Sequence, residues 1–418
     1  MNKPMKEQIL NHLNSPGQLE KLYRTNKTSF RQEFSSLYPQ LSGNVLADFW
    51  HERLNYESDA ISWGSRKEFL FVVLLAFVAG LLVKIPSFFP VDEEYFFPRN
   101  ISFLVLPFLT AYFAWRSNLS GKKIAFVCAV ILVCLLYINF LPNNNQSDTL
   151  ILACIHLPLL LWVVLGVSFS GNELRDYKKR LSFLRFNGDL AVMSAMLVIA
   201  GGIMTAITIG LFSLIGFSIE KFYFEYVVAF GLPAVPIVAT YLTQSNPQLV
   251  NKVSPVIAKL FSPLVLAMLV VYLGAIIFSG KDPYNDREFL LLFNLLLIGV
   301  MALIFFSVAE SSTKSTSSSA IWILLLLSVV TVVVNGIALS AITFRISEWG
   351  ITPNRLAVLG GNFLILVHLL LVTVMLFKAT IRKAAVTEVG RAIAVYLPVY
   401  FVWTVIVVFL FPLIFGFR

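Results

Sequence analysis

The chain has 418 residues, of which 58% are hydrophobic and only 13% charged, with a mean hydropathy of +0.80. A soluble domain is roughly half apolar and about a quarter charged, so an ordinary water-soluble fold is excluded. The net charge of +9 is spread along the chain in a way that assigns it to membrane topology and leaves no reason to invoke nucleic acid.

Residues 1–68 read as a small cytoplasmic helical module. Ser15-Pro16 puts proline at a first helical position, and Leu19, Leu22 and Tyr23 follow at helical spacing. Ser29-x-x-Gln32 has the form of a capping box ahead of Phe30, Phe34 and Leu37. Val45, Leu46, Phe49, Trp50 and Leu54 make one apolar stripe on a third helix. About sixty residues bury only a marginal core, so the module is expected to lean on the membrane region or to dock a cytosolic protein partner.

Apolar runs of about twenty residues, long enough to cross about 30 Å of hydrocarbon as helices, then follow. They lie at 69–86, 100–115, 123–141, 149–168, 189–216, 222–243, 259–279, 288–309, 320–344, 353–378 and 393–415. The fold class predicted is all-α, a polytopic membrane protein with eleven transmembrane helices; the alternating segments of a membrane β-barrel do not occur. The expected organisation is the module at 1–68, four transmembrane helices at 69–168, a linker at 169–188 and a seven-helix membrane region at 189–418. No signal peptide is expected, because the first apolar run opens only at Leu70, behind a long charged stretch.

The linker carries NELRDYKKRLSFLRFNG. Leu174, Tyr177, Leu181 and Leu184 recur at helical spacing, and Arg175, Lys178, Lys179, Arg180 and Arg185 crowd the rest. That pattern predicts an amphipathic helix in the membrane interface, apolar side in lipid and basic side against anionic headgroups. The next span places Gly202, Ala206 and Gly210 four apart, a small-residue seam for close helix packing; Asp189 reads as a residue of its N-cap region. Span 222–243 contains AFGLPAVP, in which Gly231, Pro233 and Pro236 bend the helix. Breaks of this kind expose backbone to substrates in many transporters and are tolerated kinks in other membrane helices. Glu225 lies in the first turn of the same helix, where a carboxylate complements the dipole. Glu310 closes span 288–309, where it is expected to reach water or Lys314.

Polar groups in hydrocarbon are costly unless partnered, which singles out Asn335, Asn362 and His368. The two asparagines lie at similar depth on adjacent helices and are expected to hydrogen-bond, either as a clasp or as part of a ligand site. His368 lies deeper, as a satisfied core residue or a proton relay. Between the helices of that hairpin runs SEWGITPNRL. Thr352 reads as an N-cap, Pro353 as the first helical residue and Gly350 as the turn; Trp349 fits an aromatic anchor at the interface. A cation in a first turn opposes the helix dipole, so Arg355 is expected to need Glu348, a lipid phosphate or an anionic ligand.

No GxxxxGK[ST], HExxH or GxSxG motif occurs, and there are only four histidines and three cysteines, Cys128, Cys134 and Cys154, without metal-ligand spacing. No catalytic residue, metal site or cofactor is therefore assigned, and an enzyme is disfavoured. If the N-terminus is cytoplasmic, eighteen Lys and Arg from Arg53 to Arg391 fall on the inner side. Eight (Lys84, Arg99, Lys221, Lys281, Arg287, Arg345, Arg355 and Arg418) fall on the outer side. That asymmetry predicts the N-terminus inside and the C-terminus outside.

WGITPNRLAVLGGNFLILVHL (Trp349 to Leu369), YLPVYFVWTVIVVFLFPLIFGF (Tyr396 to Phe417) and LFSPLVLAMLVVYL (Leu260 to Leu273) resemble a bacterial membrane family catalogued as domain of unknown function 4153. The resemblance covers most of residues 170–418. It implies a polytopic protein of the bacterial cytoplasmic membrane and supplies no catalytic residues. The expected function is permease-like, binding or moving a small or amphiphilic molecule, with anionic membrane lipids as partners. The alternative is a non-transporting scaffold or sensor that docks a cytosolic partner through residues 1–68.

Overall fold

A computed structural model describes residues 5–55, 64–144, 146–251, 253–279, 284, 287–311 and 318–418, with helix and turn but no strand among them. It divides into two compact units, Met1–Ile61 and Ser62–Arg418.

The first unit has four helices, one more than the pattern predicts: α1 (Met5–Asn11), α2 (Pro16–Thr25), α3 (Lys27–Leu41) and α4 (Val45–Asn55). Pro16 starts α2 behind Ser15, as its fixed φ favours. Ile9, Leu19, Phe30, Phe34, Leu37, Ala47, Trp50 and Leu54 close the core, with Trp50 packed against Phe30 and Tyr23. The stripe predicted on α4 splits. Trp50 and Leu54 point inward, whereas Val45 and Phe49 remain 84% and 60% exposed. Ser29 and Gln32 lie within α3, not ahead of it, and their side chains fall outside the described residues.

The second unit begins with α5 (Arg66–Val83), which occupies the predicted first span and carries Arg66, Lys67 and Glu68 in its first turn. Ten further helices among the described residues are long and apolar enough to cross a membrane. They are α6 (Glu93–Arg116), α7 (Gly121–Phe140), α8 (Asp148–Ser170), α9 (Tyr177–Leu214), α10 (Glu220–Ser245), α11 (Val253–Ser279), α12 (Arg287–Ser311), α13 (Ser318–Trp349), α14 (Pro353–Thr380) and α15 (Val386–Ile414). The protein is an all-α polytopic membrane protein.

Hydrogen bonds between helix ends fix the threading. Arg116, at the end of α6, reaches Glu68 at the start of α5 and the Gln244 carbonyl at the end of α10. Arg99, near the start of α6, reaches Pro142 and Asn143 beyond α7. The Arg418 carbonyl accepts from the Thr149 amide at the start of α8. The start of α5 and Arg418 therefore stand at opposite ends of the bundle, while ten helices, α6 to α15, and not the eleven expected, are long and apolar enough to cross among the described residues.

Three local expectations are corrected. No separate interfacial helix precedes the fifth span. Instead α9 runs unbroken for 38 residues, about 57 Å, with Asp189 inside it. Leu181 packs on Ala309, Ala394 and the face of Gly390, and Leu184 joins the same core, so protein covers the side expected to lie in lipid. Second, α10 does not break at Pro233 and Pro236. It stays α-helical through Ala229–Ser245, behind a π-helical turn at Tyr223–Val228. A second π turn, Ile406–Leu410, stands ahead of Pro412 in α15. Proline crowds the carbonyl four residues back and offers it no N–H, and a widened turn accommodates both effects.

Third, Gly202 and Gly210 meet no atom within contact distance of a Cβ, so the small-residue seam faces away from the described protein. Close approach is made elsewhere, by single glycines that each receive a large side chain. Phe230 lies on Gly80, Phe306 on Gly188 and Trp403 on Gly360, each occupying the place a Cβ would take. These contacts join α5 to α10, α9 to α12 and α14 to α15.

Candidate functional site

In the bundle of α11 to α15 two groups of buried polar side chains lie at different depths along α12. Nearer the Trp349 end is an amide cluster. Asn362 donates through Nδ2 to Asn294 Oδ1 at 2.8 Å, and Asn335 donates through Nδ2 to the Asn362 carbonyl at 3.2 Å. Asn335 is fully buried and its Oδ1 has no partner. A buried acceptor left open in a low-dielectric interior is unfavourable, so the cluster is incomplete as it stands.

Met301 lies on the same face of α12 as Asn294, seven residues on at 100° per residue and roughly 10 Å along the axis. There the Tyr400 hydroxyl is 3.1 Å from His368 Nδ1 and 3.5 Å from Met301 Sδ, with either as acceptor. The His368 ring is fully buried between Phe305 and Tyr396, and the Tyr396 hydroxyl donates to the Leu364 carbonyl. Amide, phenol and imidazole are the chemistry offered, hydrogen bonding without a fixed charge. This suits a neutral polar group, and no described group of His, Cys, Asp and Glu could hold a metal ion.

Flanking the amide cluster, α11 and α12 enclose an apolar groove of about 550 Å³ lined by Val265, Met268, Tyr272, Phe293, Leu296 and Gly299, among others. Its size falls within the range of ligand pockets. At the far end of α12, Glu310 pairs with Arg185 of α9 at 2.5 Å. Glu310 was expected to reach water or Lys314; Lys314 lies outside the described residues, and the carboxylate is buried against Arg185 instead.

Other predicted site residues go elsewhere. Glu225 is a surface residue in the π turn of α10, 3.8 Å from Lys221. Gly231 opens onto empty space, and Pro233 and Pro236 belong to α10, which packs on α5 through Phe230. Of the linker cations, Arg185 is taken by Glu310, Lys179 lies 3.3 Å from Glu173 and Arg180 donates to the Arg175 carbonyl. Arg175 and Lys178 are exposed.

Among the described residues Arg355 does not pair with Glu348, its expected protein partner. Its Nη1 donates to the Trp349 and Gly350 carbonyls, both at 2.7 Å. The cation thus caps the C-terminus of α13, the favourable end of that dipole, while sitting in the first turn of α14. Thr352 accepts from the Arg355 amide and Gly350 adopts φ +77°, as the turn requires.

Sequence reasoning missed Asn294, alone in LLLFNLLL, although the same cue singled out Asn335. It also missed the node around Glu68, which accepts from Tyr112 and Arg116, both at 2.7 Å. A carboxylate among Arg66, Lys67 and Phe69 looks like an ordinary first-turn acid, and only the packing of α6 beside α5 shows what it holds. Comparison of the chain with protein-family models, with curated proteins and with solved structures finds no match in any of the three.

Proposed function

We propose that this integral membrane protein is permease-like, binding or moving a small or amphiphilic molecule within the bundle of α11 to α15. The observation that carries the reading is the incomplete amide cluster of Asn294, Asn335 and Asn362. The neighbouring apolar groove supports an amphiphilic ligand, polar at one end and hydrocarbon at the other. The likeness of Trp349–Leu369 to an uncharacterised bacterial family is consistent with this class. The Lys and Arg asymmetry argues for residues 1–68 inside and Arg418 outside.

The test needs no substrate. In proteoliposomes of a variant with Cys128, Cys134 and Cys154 replaced by Ser, Asn294→Cys and Asn362→Cys are treated from either side with a membrane-impermeant thiol reagent. A permease path gives modification; a cluster sealed from both sides refutes the reading. The exposed Val45 and Phe49 pair on α4 favours a second reading, a scaffold that docks a cytosolic protein. It predicts that deleting residues 1–61 removes the cellular phenotype while Asn362→Leu leaves it intact.

A further inference from the structure

The hairpin between α13 and α14 holds a buried cation that has no counter-charge among the described residues. Arg345 is 8% exposed. Its Nε donates to the Tyr284 carbonyl at 2.8 Å, and its Nη2 has no hydrogen-bond partner. Its guanidinium carbon lies over the Trp349 ring, 5.7 Å from the centroid, and that of Arg355 lies over the same ring at 5.6 Å. Two cations therefore converge on one indole. Among the described residues neither has a carboxylate within salt-bridge distance. Glu348 is adjacent in sequence, exposed and unpaired with either.

One carbonyl and one ring face are weak compensation for a buried guanidinium, because desolvating a cation is costly unless an anion and further hydrogen bonds replace its water. The C-terminal carbonyls of α13 relieve Arg355 in part. The N-terminus of α14, a 28-residue helix, opens beside Arg355, and helix N-termini favour anions. Trp349 is half exposed at the end of α13, in the manner of aromatic residues at a membrane interface.

We propose that Arg345, Arg355 and the first turn of α14 form a binding site for a phosphoryl oxyanion. A phosphoryl group has oxygens enough to accept from two guanidinium groups at once, and planar guanidinium forks match it closely. The Trp349 ring lies against both arginines. The site lies at the hairpin, away from the amide cluster, and does not depend on the permease reading. Its ligand is either the headgroup of an anionic lipid or a soluble phosphate.

The experiment uses the full chain in detergent and has two arms. Native mass spectrometry compares retention of phosphatidylglycerol with that of phosphatidylcholine. Thermal unfolding compares sodium phosphate with sodium chloride at equal ionic strength. The wild type is expected to retain phosphatidylglycerol at least fivefold over phosphatidylcholine if the source is lipid, or to unfold several degrees higher in phosphate if the source is soluble. Arg345→Gln should abolish whichever response is seen. Arg355→Gln, at the more exposed position, should weaken it severalfold and serves where Arg345→Gln does not fold. A wild type indifferent in both arms overturns the proposal, and so does a response unchanged in both variants. An anion response that arises only after Asp282→Asn and Asp286→Asn also overturns it, since the chain would then supply its own counter-charge.

Discussion

The Arg185–Glu310 pair between α9 and α12 makes an asymmetric prediction. The Glu310 side chain is 4% exposed and that of Arg185 is 24% exposed, at an N···O distance of 2.5 Å. With charge centres about 4 Å apart, an effective dielectric near 20 gives an attraction of roughly 4 kcal/mol, offset by the desolvation of both groups. Arg185→Gln takes the guanidinium from a carboxylate that water hardly reaches, a loss that costs about 3–5 kcal/mol in buried pairs. Glu310→Gln leaves a cation with a quarter of its side chain already in solvent, and its cost should be nearer 1–3 kcal/mol, the range for a hydrogen bond lost to a charged group. The double variant should cost close to what Glu310→Gln does alone, so the coupling should match the Arg185→Gln cost of about 3–5 kcal/mol. Reversible unfolding in mixed micelles, followed by far-ultraviolet circular dichroism, measures all three. Equal costs for the two single variants, or strict additivity in the double, would refute the reasoning.

Gly360→Ala puts a methyl where the Trp403 ring now lies and should cost about 1–3 kcal/mol as overpacking. Combining it with Trp403→Leu should restore part of that loss in the same unfolding assay. Gly202→Leu and Gly210→Leu enter open space, and neither should lower the thermal midpoint in detergent. In the first unit, the hydrogen bond from Arg24, assisted by the charge of Arg53, holds the Glu20 carboxyl below its ordinary value of 4.5. A carboxyl lowered in the folded state stabilises the fold above its unfolded value, and that contribution is lost as pH falls through the folded value. Amide-exchange protection of α2, corrected for intrinsic rates, should therefore fall on acidification below about pH 4.5. In the Arg24→Ala/Arg53→Ala variant it should fall less.

How much of this was legible in the sequence depended on the range of the interaction. Thr352, Pro353 and Gly350 announce a hairpin because capping and turn geometry act over three or four residues, and the structure places each as read. Arg355 was recognised as a cation in the wrong turn for its own helix. Its acceptors are the carbonyls of the preceding helix, and only the tightness of the turn brings them within reach. Tyr177, Leu181 and Leu184 correctly marked an apolar face, whereas Leu174 lies exposed in the turn ahead of α9. An apolar face looks the same whether lipid or α12 and α15 cover it, so the environment was misread. The glycine seam failed for the converse reason: spacing shows that backbones could approach closely but not that a partner is present. Gly360 and Trp403 are the true contact, 43 residues apart in the sequence, and neither residue signals the other.

The sequence separations of the charged contacts bear on the order in which the chain can be assembled. Arg355 is capped by carbonyls five and six residues away, so the α13–α14 hairpin can settle its charge as soon as both helices have emerged from the ribosome. Arg185 waits for Glu310, 125 residues later, and Arg116 reaches its carbonyl on Gln244 only after 128. During synthesis Arg116 already has Glu68, 48 residues earlier, as its partner, whereas Arg185 must stand at the membrane surface until Glu310 arrives. Folding of the N-terminal half is thus not complete until α10 and α12 have been made. A nascent chain stopped before Glu310 should hold Arg185 in a position that the finished protein never shows.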